Sequence, residues 1–189
     1  MIRIGILGDI GSGKTFVAKN FGYPIFNADL VVTNLYKKDK KIFYKLKKIL
    51  PSIFKSFPIE KKEITRAILK NNSNLKKIIK IVYLEVRKKL RLFLTKNKKR
   101  KIVILDIPLL IENKLYRKKD ILVFVQSKKK DILVRLKKRP NYNKSLMKKF
   151  YKIQLSLDVK KRKSHFIIKN NFTRKSVKKE IKNILKKIK

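Results

Sequence analysis

The sequence predicts a single α/β domain in three layers, with a parallel five-stranded sheet between helices. Three observations predict it. Continuous apolar runs at residues 2–7, 102–105 and 121–125 read as strands buried on both faces. Longer stretches with helical spacing alternate with them. A glycine-rich turn joins the first run to the first helical pattern, the opening of a βαβ unit. At 189 residues, the chain is long enough for one full core and short for two ordinary domains, so residues 1–189 are expected to form one domain.

The elements follow in order. The strand at 2–7 feeds the turn, and residues 14–21 carry Phe16, Val17 and Phe21 at helical spacing, with Gly22 placed to close the helix. Tyr23, Pro24, Ile25 and Phe26 begin a short second strand. From 30 to about 95 the pattern is mostly helical, broken near Pro51, Pro58 and Asn71-Asn72, and is expected to cap one side of the sheet. After the strands at 102–105 and 121–125, residues 128–139 read as a helix ended by Pro140, and 145–161 as a second, very basic helix. Together, residues 128–162 look like a mobile lid. A last strand at 166–168 and a helix N-capped by Thr173 close the domain.

Composition excludes several classes. Cysteine is absent and His165 is the only histidine, so disulfides, thiolate or histidine-cluster metal sites and a Ser/His/Asp triad are unsupported. The run 102–111 is too short to cross a bilayer and contains Asp106; with no secretory pattern after Met1, a soluble cytoplasmic protein with no membrane partner is expected. Lys+Arg 55 against Asp+Glu 12 gives a net charge of +43, which would ordinarily suggest a polyanionic partner. The lysines, however, are spread from Lys14 to Lys189 among abundant Ile and Asn, as AT-rich codon usage produces, so no specific nucleic-acid partner is expected.

Gly8, Asp9, Ile10, Gly11, Ser12, Gly13, Lys14 and Thr15 match GxxxxGK[ST] after a strand and at the start of a helix. In that setting, glycines with φ > 0 bring backbone N–H groups around phosphates, and the helix terminus adds positive charge. Lys14 then neutralises the β- and γ-phosphates of ATP, and Thr15 ligates Mg²⁺. All five glycines lie between positions 5 and 22, where an anion cradle needs them. Asp106, ending a buried strand, is the expected acidic partner for Mg²⁺; capping the following turn is the competing reading. Asp29, just past the second strand, either faces the acceptor hydroxyl or N-caps the next helix. Arg135 and Arg139 are spaced i, i+4, as if on one helix face that swings onto the transferring phosphate; a solvated face is the alternative.

These residues resemble the dephospho-coenzyme A kinases over nearly the whole chain. The resemblance lies in Ile4-Gly5-Ile6-Leu7 with its G-x-I-G-S-G-K-[ST] loop, Ala28-Asp29 where the family has D-A-D, and Asp106-Ile107-Pro108-Leu109-Leu110-Ile111-Glu112 where it has D-x-P-L-L-F-E. It continues through Arg135 to Arg139 for R-L-x-x-R, Gln154 in the lid, and Phe166 to Asn170 for the end of D-x-V-I-x-N. It implies a P-loop containing nucleoside triphosphate hydrolase fold with a helical acceptor-binding region and lid. It also implies phosphorylation of the ribose 3′-hydroxyl of dephospho-coenzyme A by ATP with Mg²⁺ in the cytoplasm. Asp29 would activate that hydroxyl, Arg139 would reach the ATP phosphates, and Asn170 would help form the adenine pocket.

The chain departs from this pattern at Asp9, where a glycine is common, and at Asn27, Thr33, Tyr83-Leu84 and Ser164-His165. A carboxylate at Asp9 would repel phosphates unless it points away or meets the metal. The alternatives are another P-loop kinase of small metabolites or nucleoside monophosphates and, from a different class, a basic nucleic-acid-binding module. A GTPase is disfavoured because no D-x-x-G follows Asp106 and no N-K-x-D occurs.

Overall fold

The computed structural model describes residues 1–140 and 142–188. Its strands are β1 (Ile2–Gly8), β2 (Ile25–Asn27), β3 (Ile102–Asp106), β4 (Ile121–Gln126) and β5 (Phe166–Lys169). Its helices are α1 (Lys14–Asn20), α2 (Ala28–Lys38), α3 (Lys40–Ile49), α4 (Lys61–Lys70), α5 (Asn72–Lys96), α6 (Lys129–Lys137), α7 (Lys144–Lys152), α8 (Leu157–Arg162) and α9 (Arg174–Lys187). Contacts divide the chain into two units, one of residues 1–27, 95–142 and 155–189, the other of residues 28–94 and 143–154.

The first unit holds the sheet. All four strand pairings are parallel, in the order β2-β3-β1-β4-β5. The order reverses at β1, so the carboxyl end of β1 lies at the switch point where open parallel sheets take ligands. On one face Ile4, Ile6, Ile104, Val123, Val125 and Ile168 pack with Val17, Ala18 and Phe21 and with Val177, Ile181 and Ile184 of α9. The i, i+4, i+7 spacing of the α9 residues puts them on one stripe. Ile6 is wholly buried, and truncating such a residue to alanine costs about 2–5 kcal/mol.

Toward the other side of β1, a Cβ at Gly5 would stand 2.6 Å from a Leu110 methyl and 2.9 Å from one of Leu122. The missing side chain thus lets the segment after β3 lie against the strand. Glu112 of that segment pairs with Lys160 of α8 at 3.0 Å, both nearly buried, and accepts the Leu155 N–H at 3.0 Å.

The second unit is helical. Leu75, Ile78, Val82, Val86 and Leu90 form the buried stripe of α5, the repeat expected of an amphipathic helix. Glu60 and Glu63 make a reciprocal capping box that starts α4. Buried Asn74 donates to the Ala67 carbonyl at 2.8 Å, and Lys149 of α7 reaches the Leu69 carbonyl at 3.1 Å.

Three boundaries differ from the sequence reading. Residues 145–161 form two helices, because Ser156 caps α8 by accepting the Val159 N–H at 3.3 Å. Asp39 likewise ends α2 and caps α3, accepting the Ile42 N–H at 3.1 Å. Helix α6 stops at Lys137, ahead of Pro140, which disfavours helical geometry in the residue before it. Of the stretch 128–162, α6 and α8 belong to the first unit and α7 to the second. Among the described residues, no helix is long and apolar enough to cross a membrane.

Candidate active site

The turn after β1 is shaped by backbone that only glycine adopts readily. Gly8 has φ +145, and a Cβ there would stand 2.6 Å from the Val125 carbonyl and 2.8 Å from the buried Ser12 hydroxyl. Gly13 has φ +88, and a Cβ there would overlap the Asn170 side-chain amide and stand 2.9 Å from the Phe172 ring. The chain therefore curls tightly from Gly8 into α1, whose first-turn N–H groups have no intrahelical acceptor. No acidic residue occupies that first turn.

The loop is braced from two sides. Ser127 donates its hydroxyl proton to the Ser12 carbonyl at 2.9 Å, and Asn170 donates its amide N–H to the same oxygen at 2.8 Å. Asn170 is itself fixed, since its backbone N–H bonds the Gln126 carbonyl and its side-chain oxygen accepts the Phe172 N–H at 2.9 Å. Under the loop, Ile132 and Leu136 of α6 stand against Gly11. Ser12 Oγ is buried with no hydrogen-bond partner.

Lys14 folds its ammonium back over the loop, donating to the Asp9 carbonyl at 2.7 Å and the Gly8 carbonyl at 3.3 Å. The Asp9 carboxylate accepts the Ile10 N–H at 2.6 Å. Thr15 donates its hydroxyl to Asp106 Oδ2 at 2.6 Å, and Asn27 donates to the same oxygen at 2.9 Å. The strand register explains this meeting, because β2 and β3 align Asn27 opposite Asp106. Burial raises the Asp106 carboxyl above its ordinary range, opposed by the Thr15 hydrogen bond, the Lys14 charge and the Asn27 hydrogen bond. Asn27 thus supplies a donor where a second carboxylate would repel the first.

Arg135 lies with its guanidinium 4.1 Å from the centre of the Phe172 ring, a stacking arrangement. Arg139 is not on the same helix face, because it follows the end of α6; its carbonyl accepts the Tyr142 N–H at 3.0 Å. Asp29 is an exposed residue in the first turn of α2, inside the helix rather than at its cap, and belongs to the second unit. Its carbonyl accepts the Thr33 hydroxyl at 2.8 Å. The structure thus brings together Gly8 to Thr15, Asp106, Arg135 and Asn170 within the first unit. Reading the sequence missed the Ser127 brace, the Phe172 stack and the Glu112–Lys160 pair, all contacts between residues far apart in the chain.

The residues fit a nucleotide. A tight turn of glycines with positive φ, a lysine at its mouth and a hydroxyl beside a carboxylate form a phosphate cradle next to a set of hard oxygen donors. The model of the family described as dephospho-CoA kinase matches residues 2–176. The dephospho-CoA kinase of Wolbachia pipientis wMel is 35% identical over 187 residues, covering 96% of this chain and 95% of that protein. The fold is similar to that of a Thermus thermophilus protein, with a TM-score of 0.76, 22% identity and coverage of 100% of this chain and 98% of the other. It is similar too to a dephospho-CoA kinase from Campylobacter jejuni, with a TM-score of 0.62, 19% identity and coverage of 98% and 96%.

Proposed function

The chain belongs to the dephospho-CoA kinase family, and from that premise we infer how its own residues carry the reaction. The protein is a kinase with a nucleotide-binding P-loop fold that uses ATP to phosphorylate dephospho-coenzyme A in coenzyme A biosynthesis. We propose that the acceptor is the ribose 3′-hydroxyl and that the work is divided as follows. The amides from Gly8 to Thr15 hold the β- and γ-phosphates. Lys14 releases the Asp9 and Gly8 carbonyls and turns onto the phosphate oxygens, where charge develops during transfer.

Thr15 and Asp106 would hold Mg²⁺ through a hydroxyl and a carboxylate oxygen. When bound there, the ion neutralises phosphate charge. Asp29 accepts the proton of the acceptor hydroxyl. Arg139 serves the phosphates from the segment after α6, while Arg135, Phe172 and Asn170 border the adenine. Residues 30–95 would take the acceptor and 128–162 would act as the lid. We propose that the protein works in the cytoplasm and has no specific nucleic-acid partner, its charge being spread along the chain.

The observation that carries this reading is the 2.6 Å contact between Thr15 and Asp106 at the end of the loop, which couples the phosphate cradle to a carboxylate. A turnover assay with Mg²⁺ and ATP across a panel of acceptors tests it. Dephospho-coenzyme A should be the preferred acceptor, with the new phosphate on the ribose 3′-oxygen. Turnover confined to a nucleoside monophosphate or a sugar acid would overturn it.

A further inference from the structure

The amino ends of β4 and β5 lie at the edge of the parallel sheet opposite the phosphate loop. There the first unit carries a concavity of about 500 Å³, bordered by Lys114, Tyr116, Arg117, Lys118, Lys163 and His165. The acid in its wall, Asp120, is already committed. Its Oδ2 pairs with Arg3 at 2.9 Å and accepts the Arg117 backbone N–H at 2.8 Å. Arg3 also donates to the Leu115 carbonyl at 3.2 Å, while its Nε is buried with no partner.

The Asp120 carboxylate is therefore held by the Arg3 guanidinium and the Arg117 backbone N–H. Burial lowers the Arg3 pKa; Asp120 opposes that fall, and the Arg117 charge adds to it. Among the described residues, no carboxylate lies within ion-pair distance of Lys114, Lys118 or Lys163. The His165 ring is fixed, since its Nδ1 accepts the Leu122 N–H at 3.0 Å and its backbone N–H bonds the Leu122 carbonyl at 2.8 Å. In the neutral ring the proton is then on Nε2, which is a donor. Tyr116 and Leu122 add apolar wall.

We propose that this concavity is a second anion site, taking a phosphate dianion either free or as the head of a small phosphomonoester. The site is separate from the ATP cradle and independent of the acceptor assignment. Its walls supply what such a ligand needs: several cationic donors without acidic partners, a fixed imidazole and an apolar flank.

His165 is the only histidine in the chain, so its imidazole carbon–proton resonance reports on this concavity alone. The full chain is titrated with inorganic phosphate and, separately, with phenyl phosphate. The background is about 0.15 M KCl, which screens exposed charges beyond roughly 8 Å. Both probes should move the resonance along a saturating curve. Tighter binding of phenyl phosphate assigns an ester with an organic body, and equal binding assigns free phosphate.

The double variant Lys118→Gln/Lys163→Gln, at exposed positions, should weaken binding at least about tenfold while kinase turnover is unchanged. Lys14→Ala should leave the His165 titration intact. A linear, non-saturating drift would overturn the site. So would an undiminished titration in the double variant, or its loss in Lys14→Ala.

Discussion

Replacing Asn170 by alanine tests whether this residue braces the loop or only touches the nucleotide. The side chain is almost wholly buried and makes two hydrogen bonds, one to the Ser12 carbonyl at 2.8 Å and one from the Phe172 N–H at 2.9 Å. Ser12 keeps its bond from Ser127, so its oxygen loses one of two partners. The Phe172 N–H loses the acceptor described for it. At about 1 kcal/mol for the first loss and about 1–3 kcal/mol for the second, the variant should be less stable by about 2–4 kcal/mol. With a urea slope of about 2 kcal/mol per molar, the midpoint should fall by roughly 1–2 M. Far-UV dichroism in urea measures this, and calorimetry below the transition measures ATP affinity, which should fall because the Ser12–Gly13 turn is no longer held. Asn170→Asp should be no better, because it sets an oxygen against the Ser12 carbonyl. An alanine variant with an unmoved midpoint and weakened ATP binding would refute the brace and leave only a contact with the base.

Lys14→Ala should lower kcat by about 10²–10³-fold in steady-state assays, since charge developing on the phosphate loses its nearest cation. Its unfolding midpoint should move little, because the ammonium's bonds to the Asp9 and Gly8 carbonyls lie within the loop itself. For Asp106→Asn the two readouts should diverge. Burial makes the native carboxyl bind its proton more readily than the unfolded one. Native protein therefore holds more protons between the unfolded and folded pKa values, and stability is lost as pH rises through that window. At pH 7 the asparagine variant should unfold at higher urea than the wild type while Mg²⁺-dependent turnover collapses; a lower midpoint would contradict the assignment. Asp29→Asn should reduce kcat about 10²-fold or more with calorimetric ATP affinity retained, and unchanged kinetics would return Asp29 to a helix-terminus role.

The parts of the fold written in local signals were legible in advance. Continuous apolar runs give β1, β3 and β4 with ends within one residue, because burial on both faces leaves no other composition, while β2 and β5, only partly buried, are read from shorter stretches with ends within two residues. The loop was legible because its glycines are demanded by backbone geometry. What stayed hidden was pairing at a distance. Nothing in the spacing of Glu112 and Lys160 announces a buried ion pair, and the Glu in D-x-P-L-L-x-E reads as part of a site motif although here it anchors α8. The division of 145–161 turned on one serine, whose capping bond competes with a helix pattern that amphipathic spacing alone would continue. Ending the helix at Pro140 carries it through Arg139, whereas α6 stops at Lys137, because a proline also disfavours helical geometry in the residue before it.

The charge of the chain can be read through its acids rather than its bases. Only 12 Asp and Glu stand against 55 Lys and Arg, and the acids are placed where they act on backbone or on buried cations. Asp29, Asp131 and Asp158 occupy first turns of helices, where the macrodipole favours them. Asp39, Glu60 and Glu63 satisfy helix-start N–H groups. Glu112 and Asp120 pair with buried Lys160 and Arg3, whereas Glu85 departs from this pattern and holds the exposed Lys88 and Lys45. Asp106 sits at the cradle, and Glu180, within α9, is a second exception. Asp9 remains unfavourable to phosphates as a charge, although it is tied locally: its carboxylate takes the Ile10 N–H while its carbonyl takes the Lys14 ammonium. Phosphates entering this cradle meet that negative charge. A carboxylate there opposes them by Coulomb repulsion, which near a protein surface reaches about 4 kcal/mol for unit charges 4 Å apart. The surplus lysines set the background potential of the whole surface, while the few acids decide where it is cancelled.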